Sequence, residues 1–155
     1  MKKVEVTTKI QTTPEQVLNS FTNPEMLKDW WDVERSLIDK RSGGLYTLSW
    51  NISEKGIGYV SSGIIRNYVK DKELIIDNLV YLNPEKPFLG PMSLTIKAIK
   101  KDNLTEVYLC QDGYQAGKDW NWYYEAVKKA WPQVLQELKK YLELNNHTNK
   151  NIKRI

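Results

Sequence analysis

The stretch Lys118–Leu144, KDWNWYYEAVKKAWPQVLQELKKYLEL, decides the fold. Its apolar residues Trp120, Tyr123, Tyr124, Val127, Trp131, Leu135, Leu138 and Leu142 recur in steps of three or four, apart from one adjacent pair. That spacing draws one stripe along a helix, with Lys128, Lys129, Glu137 and Lys140 on the other face. Asp119 is placed to cap the start, and Asn145 and Asn146 to stop it. At ~1.5 Å per residue the helix spans roughly 40 Å, enough to cross a small domain. So broad an aromatic stripe needs a large apolar surface, and the preceding residues read mostly as strand, so the expected partner is a curved sheet. Pro132 sits inside the stripe, lacks an N–H and crowds the carbonyl four residues back. The sequence therefore predicts a kink near Lys128–Pro132, or two helices meeting there, and a gap beneath the bend.

Working outward, Lys3–Ile10 alternates as a half-buried strand, with Val4, Val6 and Ile10 on one side. TTPEQVLNSF follows, with Thr13 as N-cap, Pro14 at the first helical position and Gln16 as the capping-box partner. NPEMLKDWW repeats the device with Asn23 and Pro24. Between Glu34 and Gln111 six strand-like runs are separated by turn chemistry: Arg35–Asp39, Leu45–Asn51, Ile57–Lys70, Glu73–Leu82, Met92–Lys100 and Thr105–Gln111. The expected architecture is α+β: a curved antiparallel sheet of about six or seven strands, two short helices after strand 1, and a long C-terminal helix gripped by the sheet.

Composition agrees with one domain spanning 1–144. The chain has 155 residues, 41% hydrophobic and 27% charged, and a formal charge of +4. Three of those net charges (Lys150, Lys153, Arg154) fall in the last eleven residues, which hold no acid and are read as a disordered basic tail, 145–155. A near-neutral body with a short basic end does not suit nucleic acid. One cysteine forbids an intramolecular disulfide and fits a reducing compartment, and no apolar run reaches the ~20 residues of a membrane span. The expected location is the cytoplasm. Six Trp and nine Tyr against two Phe favour residues with an apolar body and a polar tip, suited to cavity walls and interfaces.

The order of elements and several segments together resemble the START-like, or SRPBCC, superfamily with its helix-grip fold. The segments are TPEQVLNSFTNPEMLKDWW, SGGLYTLSW, SSGIIRNYVKDKELIID, TEVYLCQDGY and AVKKAWPQVLQELKKYLE. Within it the chain is most similar to the branch homologous to the C-terminal domain of the activator of the heat-shock-protein-90 ATPase. The resemblance implies an apolar cavity between sheet and helix. From the fold's usual arrangement the helical elements would line it with Leu27, Trp31, Tyr124, Val127 and Trp131. The strands would add Tyr46, Leu48, Trp50, Gly63, Ile65, Ile76, Met92 and Leu94. Each of these also reads as plain core packing. A cavity lined by these residues suits non-catalytic binding of a small apolar or amphipathic ligand, the first reading of the function. The branch also implies a protein-interaction, co-chaperone-like module, with Trp120, Trp122 and Tyr123 as an exposed contact patch on a heat-shock chaperone in a stress response.

Chemistry is short of supplies. His147 is the only histidine and lies in the tail, so a His-based metal site or triad has nothing to use, and no cofactor is expected. Cys110 lacks a histidine neighbour and reads as a structural thiol. No glycine-rich phosphate loop occurs. Arg66 and Asp77 are the polar candidates: each either points outward or enters the cavity, where Arg66 would hold a carboxylate and Asp77 would serve a cyclase or hydrolase. A monomer and a homodimer both fit the sequence.

Overall fold

The computed structural model describes residues 2–56 and 58–153, with side chains described as far as 144. Strand β1 (Lys3–Ile10) buries Val4 and Ile10, as its alternation demands. The chain then turns into α1 (Pro14–Ser20) and α2 (Pro24–Trp31). Thr13 Oγ1 accepts from the Gln16 N–H at 3.2 Å, and Asn23 Oδ1 from the Met26 N–H at 3.0 Å. Both caps satisfy backbone donors that a first helical turn leaves free. Val17, Leu18, Phe21, Leu27 and Trp30 are the buried face of this pair. Helix α2 ends at Asp32, whose left-handed φ of 55° lets its N–H return to the Leu27 carbonyl.

The remaining strands are β2 (Arg35–Ile38), β3 (Leu45–Trp50), β4 (Tyr59–Val69), β5 (Glu73–Leu82), β6 (Leu89–Lys101) and β7 (Leu104–Asp112). They form one antiparallel sheet in the order β1-β7-β6-β5-β4-β3-β2. Consecutive strands are neighbours through short turns, and α1 with α2 carries the chain from the β1 edge to the β2 edge. Register shifts in β4 and β5 break strict alternation: Ile76 and Leu79, three apart, both point inward, with Asn78 at φ 52° between them.

Helix α3 (Lys118–Lys153) runs unbroken through Pro132, so the expected division into two helices does not occur. Its first-turn bond ends on the Gly117 carbonyl (2.8 Å from Asn121 N), so Asp119 lies inside the first turn and is not the cap. The helix also continues past the Asn145–Asn146 stop that the sequence suggests. Residues 154 and 155, and the side chains from 145 on, lie outside the described residues, and the expectation for the tail with them. Leu135, Leu138 and Leu142 are buried against the core. Lys139 Nζ donates to the Lys9 carbonyl at 2.7 Å, and Glu143 accepts from the Gln11 N–H at 3.0 Å, fastening this half of the helix to the end of β1.

Candidate functional site

The first half of α3 leaves a cavity of about 400 Å³ against the sheet. Strand parity builds one wall: Tyr46, Leu48 and Trp50 on β3, Tyr59 and Ser61 on β4, Leu79 and Tyr81 on β5. Leu94 of β6 and Gln111 of β7 complete the sheet side. Helix α3 supplies Tyr123, Val127, Trp131 and Val134, three or four apart on one face, with Trp122 at the mouth. Trp31 closes the end nearest α2. No charged side chain lines the cavity among the described residues. A wider groove of about 700 Å³ lies outside, between α2 and α3, lined partly by Gln133, Gln136, Glu137 and Lys140. Its apolar floor of Trp30, Trp31, Ala130, Pro132 and Val134 is edged by charged side chains and open to solvent, so the groove covers an apolar ligand less completely than the cavity does, and size does not make it the site.

Four of the polar side chains in the cavity are fixed by specific bonds, with Gln111 at their centre. Trp131 Nε1 donates to Gln111 Oε1 at 2.7 Å, and Gln111 Nε2 donates to the Tyr123 hydroxyl oxygen at 3.0 Å and contacts Met92 Sδ at 3.3 Å. The Tyr46 hydroxyl donates to the Phe21 carbonyl at 2.7 Å, and Trp50 Nε1 to the Trp31 carbonyl at 3.0 Å. Burial pushes the Tyr123 phenol up to about 12 and raises Tyr46 further, so both are neutral donors across the physiological range. Rings complete the walls. Trp31 meets Trp50 at 5.2 Å and Trp131 at 5.7 Å between centroids, and Tyr81 meets Tyr123 at 5.0 Å. At the mouth, Lys86 Nζ sits 4.6 Å over the Trp122 ring and 3.7 Å from Asp119, tying the β5–β6 loop to the start of α3.

Of the residues the sequence nominates, the cavity brings together Trp31, Tyr46, Leu48, Trp50, Leu94, Val127 and Trp131. Leu27, Ile65, Ile76 and Met92 lie in the closed core. Tyr124 packs on Tyr114 instead, one position from the inward Tyr123. Gly63 faces β5: a Cβ there would lie 2.6 Å from Ile76 Cγ2 and 2.9 Å from the Asp77 carbonyl oxygen. Arg66 and Asp77 pair with each other on the outer face at 2.9 Å, and Ser93 Oγ donates to Asp77 at 2.8 Å. Tyr123 is only 7% exposed, so the contact patch expected of Trp120, Trp122 and Tyr123 loses its third member. Sequence reasoning missed Gln111, whose parity with the buried Thr105, Val107 and Leu109 marks it as a polar residue on an inward face. Cys110 is buried on the opposite face, its thiol pushed up by burial and away from a reactive thiolate.

An α+β helix-grip fold is the class that these elements define. The chain belongs to the family described as activator of Hsp90 ATPase homolog 1-like protein, whose model matches residues 11–143. Among solved structures, it is similar to a protein from Mesorhizobium loti (TM-score 0.72, 21% identity, covering 92% of this chain and 97% of that one). An HSP90 activator from Plasmodium falciparum matches at TM-score 0.70 and 19% identity, over 92% of this chain and 96% of that one. The Aha1 dimer from Colwellia psychrerythraea matches at 0.69 and 16%, over 92% and 97%. A search of curated proteins finds no match. Among the described residues no helix is long and apolar enough to cross a membrane.

Proposed function

We propose that this domain binds a small apolar or amphipathic molecule in the cavity between sheet and α3, without making or breaking bonds in it. The observation that carries this reading is a 400 Å³ space with aromatic and aliphatic walls and a hydrogen-bonded polar floor at Gln111. Burying apolar surface contributes ~25 cal/mol per Å², so each 100 Å² of ligand covered adds about 2.5 kcal/mol. Among the described residues no group of three or more His, Cys, Asp or Glu side chains is placed to hold a metal. The two polar candidates for turnover, Arg66 and Asp77, face the outside. Native mass spectrometry of the purified protein, with organic extraction of what travels with it, tests the reading. An adduct lost on unfolding, and abolished by Val127→Phe in a folded protein, supports it. A Val127→Phe variant that retains the adduct places the molecule elsewhere and sinks it.

Family membership favours a second reading, contact with a heat-shock ATPase. Trp122 (40% exposed), at the mouth, and Phe88 (60% exposed), in the β5–β6 loop, present apolar surface suited to anchor such a contact. A pull-down with the chaperone, repeated with Trp122→Ala and Phe88→Ala together, decides it: equal capture of both forms removes this patch from consideration.

A further inference from the structure

The cavity's bonding pattern says more about its occupant than its size does. Trp131 Nε1–H can only donate, so the Gln111 atom 2.7 Å away is the amide oxygen, and the amide nitrogen must then face Tyr123. The Tyr123 oxygen is therefore an acceptor in the network, and its own proton is left to point elsewhere. The donors of Tyr46, Trp50 and Trp131 are all engaged by protein oxygens. The Tyr123 O–H meets no acceptor among the hydrogen bonds of the described residues, although the residue is 7% exposed and borders the cavity. An acceptor oxygen on a ligand in the cavity would take this proton, and one such hydrogen bond contributes ~0.5–1.5 kcal/mol net. The walls also carry no charge, so a carboxylate, phosphate or ammonium group would be desolvated with no counter-ion.

Building on the ligand-binding reading, we propose that the cavity selects an uncharged ligand bearing a carbonyl-type acceptor oxygen. The Tyr123 hydroxyl grips that oxygen while the aromatic walls cover the apolar remainder. Tyr123 is the specificity-determining residue. Gln111, locked by Trp131, is a positioning residue that turns the hydroxyl toward the cavity.

Four probes sharing a phenyl ring test this: acetophenone, ethylbenzene, benzoate and phenyltrimethylammonium, each titrated into the 15N-labelled protein while the Trp131 indole resonance is followed. Acetophenone is expected to bind at least about tenfold more tightly than either charged probe. Tyr123→Phe is expected to weaken acetophenone about tenfold, the value of one hydrogen bond to a desolvated donor, and to move ethylbenzene by less than about twofold. An infrared measurement on the unmutated protein needs no variant to fold. The carbonyl stretch of bound acetophenone should lie below its position in hexane. The proposal is overturned if Tyr123→Phe shifts ketone and hydrocarbon alike, if a charged probe matches acetophenone, or if the stretch equals that in hexane; the cavity itself would still stand as a binding site. If none of the four probes binds, the ligand-binding reading falls first and this inference with it.

Discussion

The two halves of α3 lie on the same core and do opposite things with it. Toward the C-terminal end, Leu135, Leu138 and Leu142 (0–2% exposed) fill the space against β1 and α1 completely. Toward the N-terminal end, Tyr123, Val127 and Trp131 stand off the sheet and leave about 400 Å³. The difference follows from side-chain chemistry. Leucine has no polar atom and settles wherever volume is free, so its half closes to the density of an ordinary interior. Trp and Tyr are rigid plates whose N–H and O–H need partners. Here those tips are pinned to Gln111, the Phe21 carbonyl and the Trp31 carbonyl. Plates held at their tips cannot collapse into the gap between them.

The largest expected effect tests that contrast directly. Leu138→Ala should lower the unfolding free energy by about 4 kcal/mol, and Leu94→Ala, which borders the cavity, by about 2, since the second only enlarges a space already present. Chemical denaturation compares them, and equal losses would break the distinction between a closed and an open half. Next is pH. Burial holds the Tyr123 phenol at about 12 against an ordinary 10.0. An unfolded tyrosine gives up its proton first as pH passes 10, so the stabilisation is whole below 10 and lost as pH rises toward 12. Tyr46 and Tyr114 are raised by burial in the same sense. Tyr123 alone should account for a loss of ~2–3 kcal/mol over that window, and Tyr123→Phe should lose correspondingly less. Parallel decline in both proteins would mean that water already reaches Tyr123.

Much of the molecule was legible in its residues. Alternation located all seven strands, and Thr13 and Asn23 announced the two short helices. The cavity was half legible. β3 is regular, so Tyr46, Leu48 and Trp50 followed from parity. β5 is not: the bulge at Asn78 moves the inward set from Ile76 to Leu79 and Tyr81, and nothing in LIIDNLVYL marks that shift. Tyr123 and Tyr124 share the helical stripe, and only the tilt of α3 against the sheet selects between them. The resemblance places Gly63 in the cavity lining, whereas its missing side chain makes room for Ile76 and the Asp77 carbonyl. Gly63→Ala should accordingly cost ~1–3 kcal/mol by crowding fixed backbone. Acetophenone affinity measured on the folded fraction should not change.

Smaller still is Val127→Phe, which adds bulk where space exists. Unfolding should shift by less than about 1 kcal/mol while acetophenone binding falls by at least tenfold. A loss of stability as large as that of Leu138→Ala would mean that the aromatic half is as tightly packed as the leucine half.

The smallest effect belongs to Asp77→Asn, and its smallness is informative. Asp77 has a short ion pair to Arg66 and a hydrogen bond from Ser93, which on geometry alone looks like a valuable site. Yet the Arg66 side chain is 58% exposed and that of Asp77 33%, so water screens the pair and competes for both partners. Exposed pairs contribute ~0–1 kcal/mol, and 1 M salt should erase most of that. The substitution should therefore lower stability by less than about 1 kcal/mol and leave acetophenone affinity unchanged, because Asp77 lies on the face of the sheet opposite the cavity. A weakened acetophenone complex in Asp77→Asn would show that the outer face of β5 communicates with the inner one. The bulge at Asn78, where β5 exchanges inward and outward residues, is the place through which such coupling would have to pass.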